Sequence, residues 1–183
     1  MSLRLFAALA IPDEIADLLL PLMKGVPGAK WRPRENLHLT LRFFDELTEP
    51  VAEDLDAALE ETTRGHRPFE VRLKGAGSFG GAEPHALWID VAESVPLAQL
   101  AAACERAARR VKLKPADHKF KPHVTVAYLN AAALLDRVQA FEARLGLFET
   151  PPFLVQSFGL YSSVTRKSAP SLYRLEAEYP LLG

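Results

Sequence analysis

Two short polar pairs lie inside apolar runs of the sequence. His38 and Thr40 alternate with leucines, and His123 and Thr125 alternate with valines. Residues two apart on a strand point to the same face, so each histidine shares a face with its threonine while the apolar neighbours face a core. One such pair is common on a solvated strand. Two copies 85 residues apart, each followed by a capped helix, indicate a repeated structural unit.

The residue types in these pairs suit chemistry at a phosphodiester. Two imidazoles with a pKa of about 6.5 can act as base and acid near neutral pH. Two hydroxyls can donate hydrogen bonds to the non-bridging oxygens of a phosphate. If the two strands face a common cleft, these four side chains form a site without a carboxylate. We expect acid–base displacement without a metal ion, above all at a cyclic phosphate whose leaving group is a neighbouring ribose oxygen.

Length and composition indicate how many domains to expect and which kinds of binding and cysteine site are excluded. The chain has 183 residues, 49% hydrophobic and 25% charged, with a formal charge of −1. This length predicts a single domain over residues 1–183, built as two lobes that share a core. A near-neutral charge disfavours a protein that binds long duplex nucleic acid by electrostatics. Cys104 is the only cysteine, which excludes an intrachain disulfide and a CxxC site.

Targeting signals are weak in the sequence. No apolar run approaches the roughly 18 residues of a membrane span. Ala8-Leu9-Ala10 mimics a cleavage site, but the leader would be far shorter than the usual 15–30 residues or so. We expect a cytoplasmic protein without a membrane partner.

Hydrophobic periodicity predicts an α+β order of elements. Helices are expected to open at Asp13, Thr48, Ser94 and Asn130. The glycine-rich stretch 75–81 is interpreted as the turn of a hairpin. The predicted strands span residues 3–11, 37–44, 69–74, 86–91, 120–129, 153–161 and 172–179. Such an order favours sheets that face each other across a shared cleft.

Several motifs together resemble a known family. The chain is similar to the 2H phosphoesterase superfamily, which two His-x-[Thr/Ser]-hydrophobic motifs define. It resembles most the bacterial and archaeal RNA 2′,3′-cyclic phosphodiesterases, historically called 2′-5′ RNA ligases. The likeness spans nearly the whole chain and rests on residues 4–12, 31–41, 77–80, 84–88, 120–126 and 160–163.

The resemblance implies a fold and a set of roles. The fold would have two lobes of antiparallel-rich sheets related by a pseudo-twofold axis, with helices outside. His38 would be the proton donor to the departing 3′ oxygen, and His123 the proton acceptor that activates water. Thr40 and Thr125 would bind the phosphate oxygens, and the product would be a 2′-phosphate. RNA ends or cyclic nucleotides would be the substrates of a monomer that needs neither a cofactor nor a metal.

Two departures from the family pattern concern the same site. The family has Phe-Leu-Gly-Glu after the first motif, where this chain has Phe43-Phe-Asp-Glu46. Its second motif commonly continues to an arginine that would contact phosphate, where this chain has Tyr128. Arg42 is expected to compensate, because on a regular strand it shares the face of His38 and Thr40. The alternative is an ordinary exposed arginine.

The sequence allows more than one role for several other residues, and more than one function for the chain. His85 and His118 lack metal-ligand spacing. The basic segment Lys112–Lys121 is either a solvated loop or a contact for an RNA backbone. Four aromatic residues are expected in the core, with base stacking by one of them as the alternative: Trp31, Phe43, Phe44 and Trp88. The alternative functions are 2′-5′ ligation or cleavage at the same site, and a binding module that has lost turnover.

Overall fold

The computed structural model describes residues 2–183, which form ten strands and four α-helices. The strands are β1 (Ser2–Ala10), β2 (Ala29–Trp31), β3 (His38–Thr48), β4 (Phe69–Val71), β5 (Leu73–Phe79), β6 (Ala86–Val91), β7 (His123–Leu129), β8 (Phe153–Val155), β9 (Ser157–Val164) and β10 (Leu172–Pro180). The helices are α1 (Asp13–Leu19), α2 (Glu49–Thr62), α3 (Val95–Arg110) and α4 (Leu135–Arg144). None of these helices combines the length and the apolar character needed to cross a membrane.

The main sheet consists of two antiparallel halves. Its order is β10-β9-β1-β3-β7-β6-β5, and β2 adds to β7. Eleven-residue β3 pairs along its length with β1, whereas its only register pair with β7 is Leu39↔Val124. The two lobes expected from the family resemblance are therefore one continuous sheet that narrows to a single pair between them. Strands β4 and β8 form a separate two-stranded sheet.

The helices cover the face of the sheet opposite the polar motifs. Leu39, Val124 and Val126 are fully buried in one core with residues of all four helices. Because side chains alternate along a strand, this burial leaves His38, Thr40, His123 and Thr125 on the other face. The α+β fold class expected from the order of elements is confirmed, and so are the antiparallel sheets that the family resemblance implied.

Several element boundaries differ from the sequence prediction. The strand expected from Phe120 begins only at His123, after Pro122, which has no backbone N–H to donate to a ladder. Helix α4 begins at Leu135 rather than next to Asn130, whose side chain instead accepts a hydrogen bond from the Ala132 N–H. The predicted Ser94 cap is confirmed, since its Oγ accepts from the Leu97 N–H.

The glycine-rich segment is the largest difference. Residues 75–81 were expected to form a turn, but β5 runs to Phe79 and the turn follows it. Gly77 pairs with Trp88 on β6, and a Cβ at Gly77 would lie 2.2 Å from the Trp88 ring. The missing side chain therefore lets the indole lie against the neighbouring strand, which explains why glycine occurs inside a strand here.

Candidate active site

The Leu39↔Val124 pair sets the geometry of the two motifs. Both side chains are buried, and antiparallel pairing around them places His38 beside Thr125 and Thr40 beside His123. The four polar side chains therefore surround one point on the open face of the sheet. Each lobe supplies one histidine and one threonine.

All four residues line a single cavity of about 1190 Å³. The expectation that the cleft would carry no carboxylate is wrong for the cavity as a whole, because four acidic side chains also border it: Asp45, Glu46, Glu105 and Asp117. Glu105 forms an ion pair with Arg42. Within residues 2–183, no group of three or more His, Cys, Asp or Glu side chains is arranged to hold a metal ion.

His38 lies in an aromatic pocket. Its ring stacks on Phe6 at a centroid distance of 4.8 Å, and the ring of Tyr173 meets it edge-on at 5.1 Å. Burial above all, together with the charges of Arg32 and His123, lowers the pKa of His38 to about 4, while a backbone hydrogen bond with Asn36 acts in the opposite direction. A pKa of about 4 means that His38 is neutral at pH 7.

His123 is held by a nearby backbone carbonyl. Its Nδ1 lies 2.7 Å from the carbonyl oxygen of Lys121, and because a carbonyl only accepts, Nδ1 carries the proton in the neutral ring. The other ring nitrogen, Nε2, then has a free lone pair. Burial and the Lys121 charge lower the pKa of His123, and the Lys121 carbonyl and Asp90 oppose this. Phe79 packs edge-on against the imidazole at 5.1 Å.

Arg42 does not share the face of His38 and Thr40. Ala8 pairs with Thr40, but Ala7 pairs with Arg42, so Leu41 is an extra residue that forms a β-bulge. The bulge resets the alternation and directs the guanidinium to Glu105 and to the Lys114 carbonyl, at 2.6 Å from the latter. Arg42 still borders the cavity. Its predicted contact with phosphate remains untested, and the guanidinium is already engaged.

Phe43 occupies the position that Arg42 was expected to take. It pairs with Phe6, and the two rings stack at 5.2 Å, so Phe43 lies on the same face as His38. Its exposed fraction is 43%, so the prediction that Phe43 belongs to the core is wrong. Phe44 and Trp88 are buried as predicted, and Trp31 is half-buried against the core.

Arg32 lies in the cleft although it was not among the predicted site residues. It lines the cavity, and its Cζ lies 5.0 Å from the ring centroid of Tyr128. A guanidinium therefore lies beside Tyr128, the position where the family commonly has an arginine. It belongs to the residue that follows β2, however, and not to a residue of β7. The only signal in the sequence was its place six residues before His38, which by itself indicates nothing about proximity.

The basic segment forms one wall of the cavity. Lys114, His118, Lys119 and Lys121 all line it. The Lys121 ammonium lies 4.4 Å from the Trp88 ring centroid, over the aromatic residues beside His123. Contact of this wall with an RNA backbone stays a prediction. The ring of His85 stacks on the ring of Phe79 at the end of β5, with 6.3 Å between the ring centroids.

Comparison with known proteins identifies the relatives of this chain. The family model described as the 2′-5′ RNA ligase superfamily matches residues 11–166. RNA 2′,3′-cyclic phosphodiesterase of Aeropyrum pernix is 31% identical over 90% of this chain and 92% of its own length. The enzyme of that name from Archaeoglobus fulgidus is 34% identical over 68% of this chain and 71% of its own length.

Solved structures agree on the fold. A Thermus thermophilus protein superposes with a TM-score of 0.83 and 26% identity over 98% of both chains. E. coli LigT, solved in complex with 3′-AMP, superposes with a TM-score of 0.78 and 22% identity over the whole of both chains. The fold seen here is therefore that of LigT and its relatives.

Proposed function

Because this chain belongs to the 2′-5′ RNA ligase superfamily, we propose that it is an enzyme that hydrolyses 2′,3′-cyclic phosphate ends of RNA or nucleotides to 2′-phosphates. The names of its relatives in Aeropyrum pernix and Archaeoglobus fulgidus support the substrate class. One observation carries the chemistry. The two His-x-Thr pairs flank the Leu39↔Val124 register pair, and their four polar side chains line one cavity on the open face of the sheet.

His123 is suited to be the base. The hydrogen bond between its Nδ1 and the Lys121 carbonyl leaves the lone pair of Nε2 available, and the lowered pKa keeps the ring neutral at pH 7. In this mechanism Nε2 takes a proton from water as the water oxygen attacks phosphorus, in line with the departing 3′ oxygen.

His38 would be the acid that protonates the 3′ oxygen. With a pKa of about 4, its imidazole by itself carries no proton to give at pH 7. A bound phosphate brings a negative charge next to the imidazole, and an adjacent opposite charge raises the pKa of a histidine. Substrate binding is therefore the step that charges His38, so the acid is made ready only when a phosphate is present.

Thr40 and Thr125 would hold the non-bridging oxygens. Each hydroxyl lies beside the histidine from the other lobe, so the phosphate is held between the lobes. Neutral hydroxyls stabilise the developing charge on these oxygens. We expect Thr40→Ala or Thr125→Ala to reduce turnover less than loss of a histidine and to weaken phosphate binding.

A short RNA with a 2′,3′-cyclic phosphate end tests the proposal. Wild type, His38→Ala and His123→Ala would be incubated with it in EDTA, and phosphorus NMR would identify the product. We expect 2′-phosphate from wild type and rates lower by roughly 10² to 10⁴ in either variant, the usual contribution of one acid or base. His66→Ala is the matched control, because this histidine lies outside the cavity.

The outcomes separate the alternatives. Unchanged rates in both histidine variants would overturn the mechanism, and loss of wild-type activity in EDTA would contradict a metal-independent reaction. If wild type binds the RNA without cleaving it, the chain is a binding module instead of an enzyme.

A further inference from the structure

Arg32 is fixed to the strand that carries the second motif. It follows β2, whose residues pair with the end of β7 in the register Lys30↔Tyr128 and Trp31↔Ala127. The backbone N–H of Arg32 continues this ladder by donating to the Val126 carbonyl, at 2.8 Å. The backbone of Arg32 is therefore held by the sheet itself, one strand away from the second motif.

Aromatic groups, and no carboxylate, hold its side chain. The guanidinium lies over the ring of Tyr128, at 5.0 Å, and Nη2 is 3.5 Å from the hydroxyl oxygen of Tyr173. Among the ion pairs that residues 2–183 form, none involves Arg32, whereas Arg42 pairs with Glu105. Stacking on a ring leaves the N–H groups at the edge of a guanidinium free to donate. Arg32 therefore presents an uncompensated positive charge to the cavity.

The Arg32 charge is close enough to His38 to influence its protonation. Tyr173, the hydrogen-bond partner of Arg32, also packs edge-on against the imidazole of His38 at 5.1 Å. In addition, the Arg32 charge is among the causes that lower the pKa of His38. A cation placed there disfavours a proton on His38 until an anion neutralises it.

We propose that Arg32, supported by the ring of Tyr128, binds a non-bridging oxygen of the substrate's terminal phosphate. The inference rests on the proposed function, because it names the cation of that same site. A guanidinium suits this task, since its N–H groups match the geometry of phosphate oxygens. Binding would also neutralise the Arg32 charge, so that this cation would no longer oppose a proton on His38.

Adenosine 2′-phosphate is the probe, because its affinity can be measured by calorimetry without any turnover. We expect Arg32→Gln to weaken its binding by roughly tenfold to a hundredfold, as for the loss of a charge-assisted hydrogen bond. Tyr128→Leu, which removes the supporting ring, should weaken binding by a smaller factor. Arg34→Gln is the matched control, since this exposed arginine pairs with Asp13 and Asp17 outside the cavity.

The pKa of His38 is a second readout, which a merely structural role of Arg32 would not predict to rise. The pKa of His38, followed by NMR, should rise in Arg32→Gln without ligand, because one positive charge has been removed. Equal affinity of Arg32→Gln and Arg34→Gln for the probe would overturn the inference. Turnover of the cyclic phosphate by wild type tests the proposed function separately, so an inactive protein whose probe binding depends on Arg32 would refute only that function.

Discussion

The burial of His38 predicts how the free energy of unfolding changes with pH. The pKa of this imidazole is about 4 in the folded protein and 6.5 when unperturbed. As the pH falls below the ordinary value, the unfolded chain takes up a proton that the folded chain does not. Stability is therefore full above pH 6.5 or so and is lost as the pH falls towards the folded value.

The size of the effect follows from the two pKa values. The complete difference corresponds to about 3 kcal/mol, and on going from about pH 8 to about pH 5 the loss is about 2 kcal/mol. His123 also has a lowered pKa and acts in the same direction. The contribution of His38 alone is therefore the difference between wild type and His38→Gln, which has no titrating group at this position.

Chemical denaturation over this pH range measures that difference. We expect the wild-type free energy of unfolding to fall by about 2 kcal/mol more than that of His38→Gln. His118→Gln, at an exposed position, controls for the loss of a histidine as such. Parallel curves for wild type and His38→Gln would refute the reasoning, because His38 would then titrate alike in the folded and unfolded chains.

Three further predictions concern packing and charge. Gly77→Ala should cost about 1–3 kcal/mol and alter the near-UV signal of Trp88, because the added Cβ meets the ring. Glu105→Gln should cost about 1–3 kcal/mol in thermal unfolding, because Arg42 loses its charged partner while its side chain stays largely buried, at 11% exposure. Saturating inorganic phosphate should raise the pKa of His38 from about 4 by roughly 2–3, towards neutrality, as followed by NMR.

Matched variants serve as controls for the first two of these predictions. Gly65→Ala adds the same methyl group where no atom lies within 4 Å, so it should leave stability nearly unchanged. Glu61→Gln removes an exposed ion pair with Arg110 and should cost no more than about 1 kcal/mol. A His38 pKa that does not respond to phosphate would contradict the proposed charging of the acid.

The two motifs could be found from sequence because strand alternation is a local property. His38 and Thr40 are two residues apart, and their apolar neighbours show which face is buried. The same applies to His123 and Thr125. That the two strands meet was inferred from the repeat and the family resemblance, since no local pattern encodes the Leu39↔Val124 contact.

The remaining cleft residues depend on contacts between distant parts of the chain. Arg42 was placed on the wrong face because nothing in the sequence marks the extra residue at Leu41. Arg32 was missed because its proximity to Tyr128 arises from pairing between β2 and β7. The glycine-rich strand was misassigned for the same reason, because the role of Gly77 is visible only beside the Trp88 ring.

Because of the bulge at Leu41, the sequence number of a residue on β3 does not by itself tell which face of the strand its side chain occupies. On a regular strand the second residue after Thr40 would share the face of His38, whereas here the third, Phe43, takes that place. Removing Leu41 would leave the register pairs Ala8↔Thr40 and Ala7↔Arg42 possible on a regular strand, but it would also remove a buried side chain that borders the cavity. A relative of equal length without the bulge would instead present its equivalent of Arg42 to the substrate. Residues that occupy one column of a sequence alignment can therefore do different work in two enzymes of this fold.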